Sequence, residues 1–143
     1  RLVGDVRLTL CNSMDDFFDH IFADPDFVSV WVDLCEAQGI DSTTLGLLAK
    51  LALRVKEKFG FKLAIYSCEP GINRLLKSMG FHRLFELHEE ACNNPADITE
   101  IPRVQGSEES VKQKVIEAHC ILMGLSDENR HRFKDLLTAL QRD

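Results

Sequence analysis

The apolar residues of this chain recur with a period that switches repeatedly between about 2 and about 3.6, so the chain must lay helices on a sheet. Val6-Arg7-Leu8-Thr9-Leu10 alternates and reads as a half-buried strand, with Leu2-Val3-Gly4-Asp5 as the end of an earlier strand and a turn. Ser13 opens a helix with Asp15 and Asp16 near its positive end and Phe17, Phe18, Ile21 and Phe22 on one face; Asp24-Pro25-Asp26 stops it. Phe27 to Leu34 is β-branched, aromatic and almost continuously apolar, the pattern of a central strand covered on both faces. Cys35 to Ile40 reads as a loop.

Asp41-Ser42-Thr43-Thr44 starts the next helix, whose buried face is read as Leu45, Leu48, Ala49, Ala52, Leu53 and Val55, with Gly60 as its left-handed cap. Lys62–Ser67 is a strand. Glu69-Pro70-Gly71 turns into a short helix with Ile72, Leu75, Leu76 and Met79 inward, ended by Gly80, and Leu84–Leu87 is a short edge strand. The periodicity then stops. Residues 89–106 read as a connector, and residues 107–143 as two amphipathic helices joined by a tight turn. Their stripes are Val111, Val115, Ala118, Leu122 and Leu125, then Phe133, Leu136, Leu137 and Leu140. The expected organisation is an α/β domain over 1–88, the connector, and a C-terminal helical hairpin.

A chain of 143 residues, 45% hydrophobic and with a net charge of −6, can bury a core without disulfides. Its acidity argues against a nucleic-acid backbone as the primary partner, and no apolar run is long enough for membrane insertion. Cys11, Cys35, Cys68, Cys92 and Cys120 are scattered and odd in number, which fits reduced thiols in a cytoplasmic protein. The first residue is Arg1, so the natural chain is expected to start upstream.

Most chemical motifs are missing. His20, His82, His88, His119 and His131 are not spaced as metal ligands, and Asp15, Asp16 and Asp19 are explained by the helix dipole. No nucleophile elbow, phosphate-binding loop or dinucleotide fingerprint is present. Arg130, Arg132 and Lys134 read as a wet helix face. The reading therefore has no catalytic residue, no metal and no cofactor. The junction Ile40-Asp41-Ser42-Thr43-Thr44-Leu45-Gly46 stands out. Capping alone accounts for Asp, Ser and Thr at a helix start. A phosphate on Ser42 would also suit that position, because the first amides of a helix are unpaired and the dipole end is positive.

Over Leu2 to about His88 the chain resembles the STAS domain of bacterial anti-sigma factor antagonists. The resemblance rests on Gly4-Asp5-Val6-Arg7, Val32-Asp33-Leu34, Ile40-Asp41-Ser42-Thr43-Thr44-Leu45-Gly46 and Leu75-Leu76-Lys77-Ser78-Met79-Gly80-Phe81. It implies a mixed sheet of four to five strands with helices packed on it, here followed by the C-terminal hairpin. It implies phosphorylation of Ser42, with Thr43 as the secondary acceptor, by a serine kinase that is itself the anti-sigma factor, and reversal by a phosphatase. Thr44 stands where the family has glycine and would narrow the groove above the helix start. The docking surface is expected at Gln38, Gly39, Ile40, Asp41, Ser42, Thr43 and Thr44, together with the neighbouring Glu69, Pro70 and Gly71. The alternatives are a scaffold subunit of a stress-signalling or lipid-transport assembly, in which Ser42 only caps and the hairpin mediates contact or a homodimer, and a small-ligand binder or enzyme on the same fold.

Overall fold

A computed structural model describes residues 3–6, 11–23, 31–91 and 107–141 of the chain. The elements, in order, are β1 (Val3–Val6), α1 (Cys11–Ala23), β2 (Trp31–Asp33), β3 (Glu36–Ile40), α2 (Ser42–Phe59), β4 (Leu63–Tyr66), α3 (Pro70–Ser78), a 3₁₀ turn (Phe81–Arg83), β5 (Phe85–His88), α4 (Glu108–Met123) and α5 (Asp127–Gln141). The expected α/β architecture is present. The strand expected over Val6–Leu10 falls mostly outside the described residues, as do Asp24-Pro25-Asp26, Phe27–Val30 and most of the connector.

β2, β4 and β5 form a three-stranded sheet in the order β2-β4-β5, and β1 pairs with β3 in a second ladder. Every described pair is parallel, where a mixed sheet was expected. The connections explain this: α2 lies between β2 and β4, and α3 between β4 and β5. A crossing helix returns the chain in the same direction, whereas a hairpin reverses it.

Two sequence expectations give way here. Glu36–Ile40 is a strand, not a loop, with its register against β1 shifted between Gly4 and Asp5. Glu36-Ala37-Gln38-Gly39 has poor strand propensity, and pairing with β1 overrides it. The strand containing Trp31 is not the middle one among the described pairings; β4 is, with Leu63 and Ile65 buried.

Local chemistry sets the helix ends. The Asp41 side chain accepts the Thr44 N–H at 2.9 Å, an N-cap of the expected kind. Gly60 closes α2 at φ +77°, where a side chain would be strained. Pro70 opens α3, and the Glu69 carboxylate accepts the Ile72 N–H at 2.7 Å. Beyond α3, Phe81 stacks on Phe85 with ring centroids 5.1 Å apart, and both are buried.

Helix α2 is the centre of the core. Thr43 through Ala49 are buried without interruption, followed by Leu51, Ala52 and Val55. The face read from the sequence was too narrow: Leu47 and Leu51 are buried and Leu53 is exposed. A helix enclosed on nearly every side needs a layer beyond the sheet, and the C-terminal hairpin supplies it. Ser107 and Ser126 cap α4 and α5, accepting N–H groups of Ser110 and Asn129 at 3.1 Å each. Ala118, Leu122 and Phe133 are buried in the hairpin. Leu136, placed on the inward stripe by its period, is 43% exposed. Asn129 is buried on α5, and its amide donates to Met79 O at 2.7 Å and Leu122 O at 2.8 Å. Arg83 donates to Leu125 O at 3.0 Å, so the hairpin turn is tied to the segment after α3.

Helices α2 and α4 approach closely at Gly46. A Cβ there would stand 2.4 Å from Ala118 O and 2.5 Å from Ala118 Cβ. Gly46→Ala gains about 1 kcal/mol of helix propensity, against an overpacking cost of about 1–3 kcal/mol. The expected outcome is a lower urea midpoint with an unchanged slope; a raised midpoint would show that the two helices do not approach this closely.

Candidate functional site

Ser42 is the first residue of α2, and its hydroxyl does not face open solvent. Its Oγ lies 2.8 Å from His119 Nε2 on α4. The other ring nitrogen, Nδ1, is 2.7 Å from Val115 O. A carbonyl only accepts, so Nδ1 carries the hydrogen and donates it. In the neutral ring Nε2 is then an acceptor, and the Ser42 hydroxyl donates to it. The imidazole is 1% exposed and is held edge-on by Phe133 at a centroid distance of 5.0 Å. Position, tautomer and ring plane are thus set by three separate contacts.

The packing beneath this pair follows from helix geometry. Ser42, Gly46 and Lys50 lie at i, i+4 and i+8, one row along α2. Opposite them α4 presents His119, Ala118 and Glu117: the serine–histidine contact, the glycine–alanine approach, and a Lys50–Glu117 ion pair at 2.8 Å. Two small residues in the row let the helices approach. The ion pair is partly exposed and is worth about 0–1 kcal/mol, so steric fit dominates.

The arrangement has two chemical properties. A basic nitrogen lone pair faces a hydroxyl proton, the geometry needed to take that proton as the oxygen acquires a new substituent. The oxygen also sits at the amino end of an 18-residue helix, where negative charge is favoured.

The other anticipated residues are placed as follows. Asp41 caps and is half-buried. Thr43 and Thr44 are 5% and 0% exposed and turn inward. Thr44 therefore does not line the outer surface where a groove was expected to narrow; its Oγ1 is buried without a hydrogen-bond partner. Gln38 is exposed on β3, with Gly39 and Ile40 half-buried behind it. Glu69 and Pro70 are exposed and Gly71 is half-buried. Amides of Gly71 and then Ile72 hold the Glu69 carboxyl below its ordinary value. The contacts of Ser42 run to α4, a segment outside the anticipated surface.

His119 is the residue that sequence reading left unassigned. Its signal was faint but present: it lies four residues after Val115 and three before Leu122, on the apolar stripe of α4. Among the described residues, no group of three or more His, Cys, Asp or Glu side chains is arranged to hold a metal ion. No described helix is long and apolar enough to cross a membrane. A depression bordered by Ile65, Leu76, Leu87 and His88 has a cavity volume of about 10 Å³, far below the roughly 300–1,000 Å³ of typical ligand pockets.

Two outcomes are expected. Nitrogen-15 NMR of neutral His119 should show Nδ1 protonated and Nε2 bare, and Ser42→Ala should shift the Nε2 resonance; an Nε2-protonated ring would break the assignment of donor and acceptor. The Glu69 cap contributes stability above the ordinary carboxylate range, because the folded group is the stronger acid, and loses it as pH falls through the lowered folded value. The protection of the Ile72 amide, its exchange rate relative to the intrinsic rate at each pH, should therefore fall on acidification below about pH 4, with Glu69→Gln largely removing that dependence. Comparison of the chain with protein-family models, with curated proteins and with solved structures finds no match.

Proposed function

We propose that this chain is a non-catalytic interaction module that binds a kinase-type anti-sigma factor and is released when Ser42 is phosphorylated. A phosphatase would restore binding. The carrying observation is the Ser42–His119 hydrogen bond at the head of α2. The resemblance to STAS-domain antagonists over Leu2–His88 supports the same reading, as does the chemistry of a helix start that favours an anion.

The pair gives this switch a mechanism. Phosphorylation removes the hydroxyl hydrogen that Ser42 donates and adds about −1.5 to −2 charge with three acceptor oxygens. A 2.8 Å contact between Oγ and Nε2 has no room for a phosphoryl group. His119 must swing away or take up a proton and move back, and Ala118, packed on Gly46, must move with it. Modification would then be felt in the hairpin as well as at the helix start. Simple charge repulsion at a rigid surface is an incomplete description.

Access follows the same logic. Ser42 is half-buried and Thr43 is buried, so a kinase must approach from the Asp41 side, with His119 moving away only after the phosphoryl group has been transferred. The imidazole is placed to accept the hydroxyl proton as the phosphoryl group arrives, and Thr43 is the poorer acceptor. The inward faces of Ala118, Leu122 and Phe133 are already used within the chain. A homodimer through the hairpin would be left with its outer face, around the exposed Leu136.

Incubation with ATP and the anti-sigma kinases of the source genome should place phosphate on Ser42, mapped by mass spectrometry. Ser42→Ala should retain the anti-sigma factor, and Ser42→Glu should bind it at least about 10-fold more weakly, about 1.4 kcal/mol. Absence of phosphate throughout Asp41–Thr44 with every kinase removes the switch. Equal binding by the two variants favours the scaffold reading.

A further inference from the structure

The thiols of Cys35 and Cys68 lie 33 residues apart in sequence, yet their sulfurs are 2.6 Å apart. Strand register produces the meeting. Asp33 and Tyr66 are paired positions of the parallel strands β2 and β4, and Cys35 and Cys68 each follow two residues later. The ladder continues past the strands through the Leu34 N–H to Tyr66 O bond at 2.7 Å. The Asp33 carboxylate then accepts the Cys35 N–H at 3.0 Å, fixing the corner into β3. Neighbouring strands run about 4.8 Å apart, within the roughly 4.4–6.8 Å between Cα atoms that a disulfide spans. The Cys35 sulfur also lies 3.4 Å from Glu90 O. Cys68 is exposed and Cys35 half-buried, so a small oxidant reaches Cys68 first.

We propose that Cys35 and Cys68 are an oxidant-sensitive pair that closes to an intramolecular disulfide in the presence of a hydroperoxide. The Cys68 sulfur attacks the peroxide, the O–O bond breaks, and sulfenic acid and one water (an alcohol, from an alkyl peroxide) are formed. Cys35 then attacks that sulfur, the S–O bond breaks, and the hydroxyl leaves as water with the thiol proton. Two thiols lose two electrons and the peroxide gains them. The new bond ties the corner before β3 to the residue that precedes the Glu69 cap of α3. It therefore staples the start of β3, which carries Gln38–Ile40, to the start of α3 at Glu69–Gly71, the two segments expected at the docking surface. An effect on binding rests on the function proposed above; formation of the bond does not.

The experiment treats the full chain with hydrogen peroxide, blocks remaining thiols, and maps non-reduced peptides by mass spectrometry. A linked pair of Cys35 and Cys68 peptides is expected, reversed by dithiothreitol, with a thermal midpoint raised by roughly 5 °C or more. In Cys35→Ser, which keeps the size of the side chain, Cys68 should accumulate as sulfenic acid trapped by dimedone; the parent chain should show little. Predominant linkage of either residue to Cys11, Cys92 or Cys120, or two thiols that stay alkylatable, overturns the proposal. Oxidised chain that carries the link but binds an anti-sigma factor unchanged would leave the pair standing and remove its coupling to the docking surface, whereas failure of the reduced chain to bind would count against the proposed function alone.

Discussion

Burial of α2 is the constraint on which the rest of the structure depends. Its first two turns expose almost nothing, including Thr43 and Thr44. One side is met by the parallel sheet through Leu63, Ile65 and Val32; the hairpin, through Leu122 and Phe133, belongs to the same core. The hairpin thus completes the core of the α/β layer and is not an independent appendage. Buried apolar area stabilises at about 25 cal/mol per Å², so stripping Leu122, Ala118 and Phe133 from their partners would cost several kcal/mol, a large share of a small domain's stability.

The same packing creates the candidate site. A serine at a helix start is ordinarily a solvent-facing group. Here Gly46 and Ala118 bring α4 so close that His119 reaches the Ser42 hydroxyl, and Val115 and Phe133 hold the imidazole in one tautomer and one plane. Any chemistry that enlarges Ser42 must act against a packed helix pair. Packed pairs shift between discrete arrangements more readily than they deform smoothly, so a small modification has a large lever.

The ends of the parallel strands show the same dependence on neighbours. Cys35, Cys68 and Glu90 follow β2, β4 and β5 and converge at the C-terminal end of the sheet. Read along the sequence, the cysteines looked scattered. Register places two of them side by side because parallel strands advance together.

Much of the fold was legible in the sequence because its signals are local. Asp41 and Gly60 bracket α2 through bonds spanning three or four residues, Glu69 and Pro70 start α3, and apolar period locates α4 and α5. Glu36–Ile40 was illegible because partner backbone, not its own side chains, makes it a strand. Leu136 is exposed although its period places it inward, because the period gives a face but not which arc of it packs against the core. The sequence by itself determined the order of the helices, the caps of α2, α4 and α5 and the serine at the head of α2. Only the tertiary structure decided what that serine touches. The Ser42–His119 bond joins residues 77 positions apart, and its existence depends on how closely two helices pack, a quantity that no local pattern encodes.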